Sequence, residues 1–269
     1  MKPVSAGYAD VNGITLYHEI YGRGEPLVLV HGGLTTVAQM QGWIEPLANT
    51  RQVIAVEMQG HGHTADTDRP MRFTTLGDDL AALLDHLGLP KADLVGHSFG
   101  AASSIRAAIQ HPTRVRRLVV ISSPYASSGW FPEARAGMSQ VGAHMSDNMM
   151  HTPTGRLSKE WPEPQRFPQF LDKMGKLLGE PYDWASDVAG LPMPVLLVFT
   201  DNDSIAQRHI AEFFALLGGG VTEPGWVNTK LSPSRLAVVT GYSHYNLLAS
   251  PEVPRIVERF LAGLPGGHT

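Results

Sequence analysis

Several short stretches of this chain carry side chains that could do chemistry. "GHSFG" at Gly96–Gly100 sets a serine between glycines, after an apolar run and before a helical one. On such a strand-to-helix turn the hydroxyl is lifted above the sheet, and the glycines let the chain pass without clashes. "DNDSI" brings Asp201 and Asp203 just past the apolar run "VLLVFT", and "YSHYNLL" brings His244 just past "LAVVTG". A serine hydroxyl is a weak nucleophile until a base takes its proton, and the base needs an acid to hold its tautomer. Serine, acid and histidine at three strand ends therefore point to acyl transfer. A competing cluster is "QGHGHTAD" at Gln59–Asp66, two histidines and an aspartate of the kind that can hold catalytic zinc.

The elements that must position these groups read as alternating strands and helices. Gly7–Val11 and Ile14–Tyr21 are strand-like runs joined by Asn12-Gly13, the dipeptide suited to a tight hairpin turn. Buried strands are predicted at Pro26–Gly32, Gln52–Met58, Ala92–Ser98, Val115–Ser123, Pro194–Thr200 and Arg235–Gly241. Between them, Phe73–Leu89 repeats leucine at helical spacing, and Phe99–His111 is rich in small residues suited to close packing on a sheet. Ser204–Gly218 and Pro251–Gly263 supply two more helices. The alternation predicts an α/β fold whose mainly parallel sheet starts with an antiparallel hairpin.

One region breaks the rhythm. Residues 124–192 lack a strong strand, are rich in Met and aromatic residues, and lie between two sheet strands. They read as a helical insertion, with the core at 1–123 and 193–269. Gly218–Ser234, a long helix-to-strand connection, falls at the edge opposite the strands' carboxyl ends, so it is expected to serve surface or oligomer contacts, a homodimer among them.

Composition narrows the classes. At 269 residues, with 43% hydrophobic content, the chain can form one large domain with a full core. A formal charge of -4 gives no reason to expect nucleic acid or a membrane surface as partner. The absence of cysteine excludes disulfides and a thiol nucleophile. No apolar run has the length of a signal peptide or a membrane span, which predicts a soluble, cytoplasmic chain.

With these motifs in place, the chain resembles the α/β-hydrolase superfamily, of the compact esterase, lactonase and C–C hydrolase type with a helical cap. The resemblance implies an eight-stranded sheet with the cap after the sixth strand. It implies Ser98 as nucleophile and His244 as base. The family pattern for the acid aligns with "TDND" and selects Asp203, with Asp201 the alternative because Thr200 stands where the pattern has glycine. The end of the sixth strand, "ISSPY", holds no carboxylate that could replace it. One oxyanion donor is the N–H of Phe99, next to the nucleophile. The family pattern places the other at Gly33 in "HGGL", with Leu34 the alternative and His31 bracing the turn. His97 is expected to point away from the reaction as a packed histidine.

Against zinc, "HGHTAD" lacks the last histidine of the H-x-H-x-D-H pattern, and no second histidine cluster follows at a suitable spacing. It reads instead as a glycine turn, with His61 and His63 near the active-site rim and neither metal nor cofactor expected. The expected substrate is a small, largely apolar ester or lactone, chosen by cap residues such as Trp130, Met138, Trp161 and Phe170. C–C bond cleavage, perhydrolysis and a slow hydrolase-like receptor remain open alternatives.

Overall fold

The computed structural model describes residues 1–226 and 230–263. Eight strands form one sheet: β1 (Ser5–Val11), β2 (Ile14–Tyr21), β3 (Glu25–Val30), β4 (Arg51–Val56), β5 (Ala92–His97), β6 (Val115–Ile121), β7 (Val195–Asn202) and β8 (Arg235–Ser243). Their order is β1-β2-β4-β3-β5-β6-β7-β8. β2 runs antiparallel to both neighbours, and from β4 to β8 every pairing is parallel. The hairpin forms as the sequence predicts. Asn12 and Gly13 both take positive φ, at 46° and 81°, which a two-residue turn between twisted strands requires.

Side chains alternate across the sheet and feed two cores. Val28 and Val30 of β3 enter one cluster, while Leu27 and Leu29 enter the other. The first cluster lies under α2 (Phe73–His86), α3 (Phe99–Gln110) and α9 (Gln207–Leu216). The second is covered by α1 (Gln41–Leu47) and α10 (Glu252–Leu261), with Trp43 and Ile44 fully buried. Leu76, Leu80, Leu83 and Leu84 make the buried stripe of α2, as their spacing predicts, and the helix stops before Gly88 at φ 65°. α1 escapes sequence reading because it is seven residues long and contains Pro46, too little for a helical period to show.

Residues 124–192 leave the sheet after β6 and return at β7. They hold α4 (Pro132–Ser139), α5 (Ser146–Met149), α6 (Pro153–Leu157), α7 (Phe167–Gly179) and α8 (Ala185–Ala189). α7 is the anchor: Phe167, Phe170, Leu171 and Met174 are all fully buried. Trp161 Nε1 donates to Gly62 O at 2.8 Å and Thr154 Oγ1 to Leu34 O at 2.8 Å, so the insertion is hydrogen-bonded to two loops at the sheet's carboxyl edge. The predicted contact loop at 218–234 includes residues 227–229, which lie outside the described residues. Among the described residues no helix is long and apolar enough to cross a membrane.

Candidate active site

The carboxyl ends of β5, β6, β7 and β8 converge, and each contributes a polar side chain. Ser98 follows β5 with φ 52° and ψ −116°, a conformation most residues avoid. The glycines around it are there for space. A Cβ on Gly96 would lie 2.4 Å from Gly100 O, and one on Gly100 would lie 2.3 Å from His31 O. The turn is therefore compressed between β3 and α3, and Ser98 is pushed out of the sheet.

Ser98 Oγ lies 3.1 Å from His244 Nε2, and His244 Nδ1 lies 3.2 Å from Asp203 Oδ1. An ionised carboxylate can only accept, so Nδ1 carries the proton and Nε2 is free to take one from the serine. Burial works to raise the Asp203 carboxyl. The hydrogen bond and charge of His244, the Ser122 hydroxyl and the Thr200 N–H together hold it below the usual carboxylate range. Asp201 is elsewhere: it is exposed, and its Oδ1 accepts the Gly241 N–H at 3.0 Å. β7 continues past its predicted end at Thr200 to Asn202, with a register irregularity against β8 in that stretch. The two aspartates consequently end up in different surroundings.

Ser122, at the end of β6, was not singled out by the sequence. It takes φ 50°, is fully buried, and donates from Oγ to Asp203 Oδ2 at 2.6 Å. The place that lacks a carboxylate thus supplies a hydroxyl to the acid on the next strand. The only available sequence signal was position, one residue past β6 and beside the end of β7.

The loop after β3 carries the third strained residue of the site, Leu34 at φ 59°. Four non-glycine residues among those described have positive φ, and three of them are Leu34, Ser98 and Ser122. Such outliers persist where the surroundings over-determine them. Leu34 N–H donates to His61 Nε2 at 3.0 Å, and its carbonyl accepts from Thr154. That bond uses the N–H that made Leu34 an alternative oxyanion donor. Gly33 lines the cavity above Ser98, and Phe99 begins α3, so its N–H has no partner within the helix.

Contrary to expectation, neither His61 nor His63 is among the residues that line the cavity over Ser98. His61 is fully buried between His31, Phe99 and Phe170, at ring separations of 4.7, 5.2 and 4.9 Å. Burial, and then the neighbouring His31, push its pKa well below the ordinary range, so it stays a neutral acceptor. His63 bonds the buried Glu57 through Nδ1 at 2.8 Å, and that bond raises its pKa. His31 Nε2 accepts the Met58 N–H at 3.0 Å, so it braces this region. His97 is a packed histidine, as expected. It lines the cavity, packed between Trp43 and His244, with neither ring nitrogen hydrogen-bonded among the described residues. Burial, and then the charge of His244, push it down to about 3.

A cavity of about 240 Å³ opens over Ser98. Its floor is Gly33, Ser98, Phe99 and His244, and its cap wall includes Trp130, Met138, Val141 and Leu178. Of the residues expected to face substrate, Trp130 and Met138 line this cavity. Trp161 and Phe170 are instead packed against each other in the core. Among the described residues, no Lys or Arg lines this cavity.

A strained serine at a strand-to-helix turn, a histidine and an aspartate from the next strand ends, and an inserted helical segment above define one class. The chain has the α/β-hydrolase fold. Residues 25–152 match the family described as alpha/beta hydrolase fold, a span that contains Ser98 and stops short of Asp203 and His244. Over 106 residues the chain is 40% identical to 2-hydroxymuconate semialdehyde hydrolase of Pseudomonas sp. (strain CF600), covering 38% of each chain. Over 129 residues it is 41% identical to 2-hydroxy-6-oxo-2,4-heptadienoate hydrolase of Pseudomonas putida, covering 45% of this chain and 44% of the relative. The chain thus spans less than half the length of these curated relatives. Its fold is similar to the crystal structure of carboxylesterase CesB from Bacillus subtilis, with a TM-score of 0.71, 22% identity, and coverage of 97% of this chain and 92% of the other.

Proposed function

We propose that this chain is a serine hydrolase that cleaves a carboxylic ester or lactone of a small, largely apolar substrate through an acyl-serine. Ser98 Oγ attacks the carbonyl carbon while His244 Nε2 takes its proton. Asp203, ionised and held by Ser122 and Thr200, keeps the ring oriented and stabilises the imidazolium. The N–H groups of Gly33 and Phe99 receive the developing oxyanion. His244 then returns the proton to the leaving alcohol, and water enters by the reverse steps.

The observation that carries this reading is the unbroken relay Ser98–His244–Asp203 at the floor of an apolar cavity. Replacing Ser98 by alanine should abolish turnover of 4-nitrophenyl acetate while leaving the melting temperature near that of the parent. Unchanged turnover would sink the assignment.

A second reading, C–C bond hydrolysis, is favoured by the names of the two curated relatives, which describe oxo acids rather than esters. The same relay serves it. The cavity argues for the first reading, because a carboxylate drawn into a space lined without Lys or Arg would lose its hydration with no cation in return.

A further inference from the structure

Two chambers meet at Ser98, and they differ greatly in size. The large one holds about 240 Å³ and the small one about 10 Å³, which is room for about one water molecule or one methyl group. Ser98, Phe99, Trp130, Met138 and Leu178 border both. His244 borders only the large chamber, while Phe73, Ala102, Ser123 and Tyr182 border only the small one.

This division sorts the two halves of a substrate. The histidine that takes the Ser98 proton must hand it to the leaving oxygen, so the leaving group sits on the side that His244 borders. The substituent on the carbonyl carbon is then directed to the other side. We infer that the acyl half of the substrate is acetyl-sized, about one heavy atom beyond the carbonyl carbon, and that the larger, apolar half is the alcohol. The inference rests on the serine-hydrolase reading and deepens it. It ranks open-chain esters of short acids above lactones, because a lactone ring ties both halves together and cannot be split between the chambers.

Ser123 reinforces the limit. Its side chain is fully buried, and its Oγ has no hydrogen-bond partner among the described residues. A water filling the small chamber can satisfy that hydroxyl. Any acyl substituent seated there, the acetyl methyl included, displaces that water and sets hydrocarbon against the hydroxyl, which is unfavourable. Polarity keeps that side from favouring apolar acyl groups, size limits their growth, and the apolar large chamber tolerates growth of the alcohol.

The test uses two ester series on the full chain. In 4-nitrophenyl acetate, butyrate and octanoate only the acyl half grows, and kcat/KM is expected to fall at least tenfold from acetate to butyrate. In ethyl, butyl and hexyl acetate only the alcohol grows, and kcat/KM is expected to hold or rise. Phe73→Ala, which opens the small chamber alone, should raise the butyrate-to-acetate ratio at least fivefold. Wild type that accepts octanoate as readily as acetate, or that loses activity as the alcohol grows, overturns the inference. These wild-type series decide the matter even where Phe73→Ala does not fold. Running Ser98→Ala beside them separates the two failures: if it turns over these esters the serine reading falls, whereas a dead Ser98→Ala with no acyl limit in wild type removes only the chamber assignment.

Discussion

His61→Ala tests how the loop after β3, proposed to carry an oxyanion donor, is held. In the folded protein the imidazole accepts the Leu34 N–H at 3.0 Å and packs on His31, Phe99 and Phe170. Truncation strands a partly buried N–H, which costs roughly 1–3 kcal/mol, and removes a buried ring, which in comparable large-to-small changes costs roughly 2–5 kcal/mol. The melting temperature should therefore fall by many degrees. Catalysis is expected to suffer separately. Leu34 sits at φ 59°, a conformation that costs on the order of 1–3 kcal/mol and needs support from outside the residue. Without its acceptor the loop should relax and carry the preceding Gly33 N–H away from the place proposed for the oxyanion. Losing one such donor typically costs roughly 100- to 1,000-fold in kcat. KM should change little, because ground-state binding comes from the apolar walls. His61→Gln keeps an acceptor oxygen and should recover part of kcat. The assay is steady-state hydrolysis of 4-nitrophenyl acetate, with circular dichroism to establish folding. A folded His61→Ala with kcat within threefold of the parent would refute this account of the loop.

Other expectations follow from single contacts. Asp203→Asn should lower kcat by roughly 10,000-fold, as loss of the orienting acid does in related relays, whereas Asp201→Asn should stay within a fewfold of the parent, since its exposed Oδ1 accepts from the Gly241 N–H and Asn202 Nδ2 and not from His244. Equal losses from the two changes would show that the acid has been misassigned. Gly100→Ala would place a Cβ 2.3 Å from His31 O and 2.5 Å from Val30 O, both backbone atoms, so soluble folded protein should be lost or sharply reduced in expression trials. Acid should destabilise the fold through its buried histidines. His97 has a folded pKa of about 3 against an ordinary 6.5, so below pH 6.5 the unfolded chain binds the proton first, and stability falls from there down to about pH 3. The melting temperature should drop between pH 7 and pH 4.5, and by less in His97→Asn; an identical drop in the variant would contradict this linkage.

Much of the scaffold was legible because its causes are local. Alternating apolar runs and helical stripes depend on side-chain period, and the hairpin depends on Asn12-Gly13. The Ser98 turn depends on glycines that stand two residues to either side. Residues whose role comes from a distant neighbour were not legible. Ser122 is an ordinary strand-end serine until β7 brings Asp203 to 2.6 Å from it. His61 looked like a metal ligand in "QGHGHTAD" and then like a rim residue. Only the packing of the β3 loop over it makes it the acceptor for Leu34.

The sequence by itself determined the order of strands and helices, the serine turn, and the set of acids and bases that could serve it. Those properties reside in neighbours along the chain. Tertiary structure decided which aspartate faces His244, because β7 runs on to Asn202 with an irregular register and separates Asp201 from Asp203. It also decided that the inserted segment leaves about 240 Å³ on one side of Ser98 and about 10 Å³ on the other. Volume between elements far apart in sequence has no local signature, since it is set only when both walls are in place.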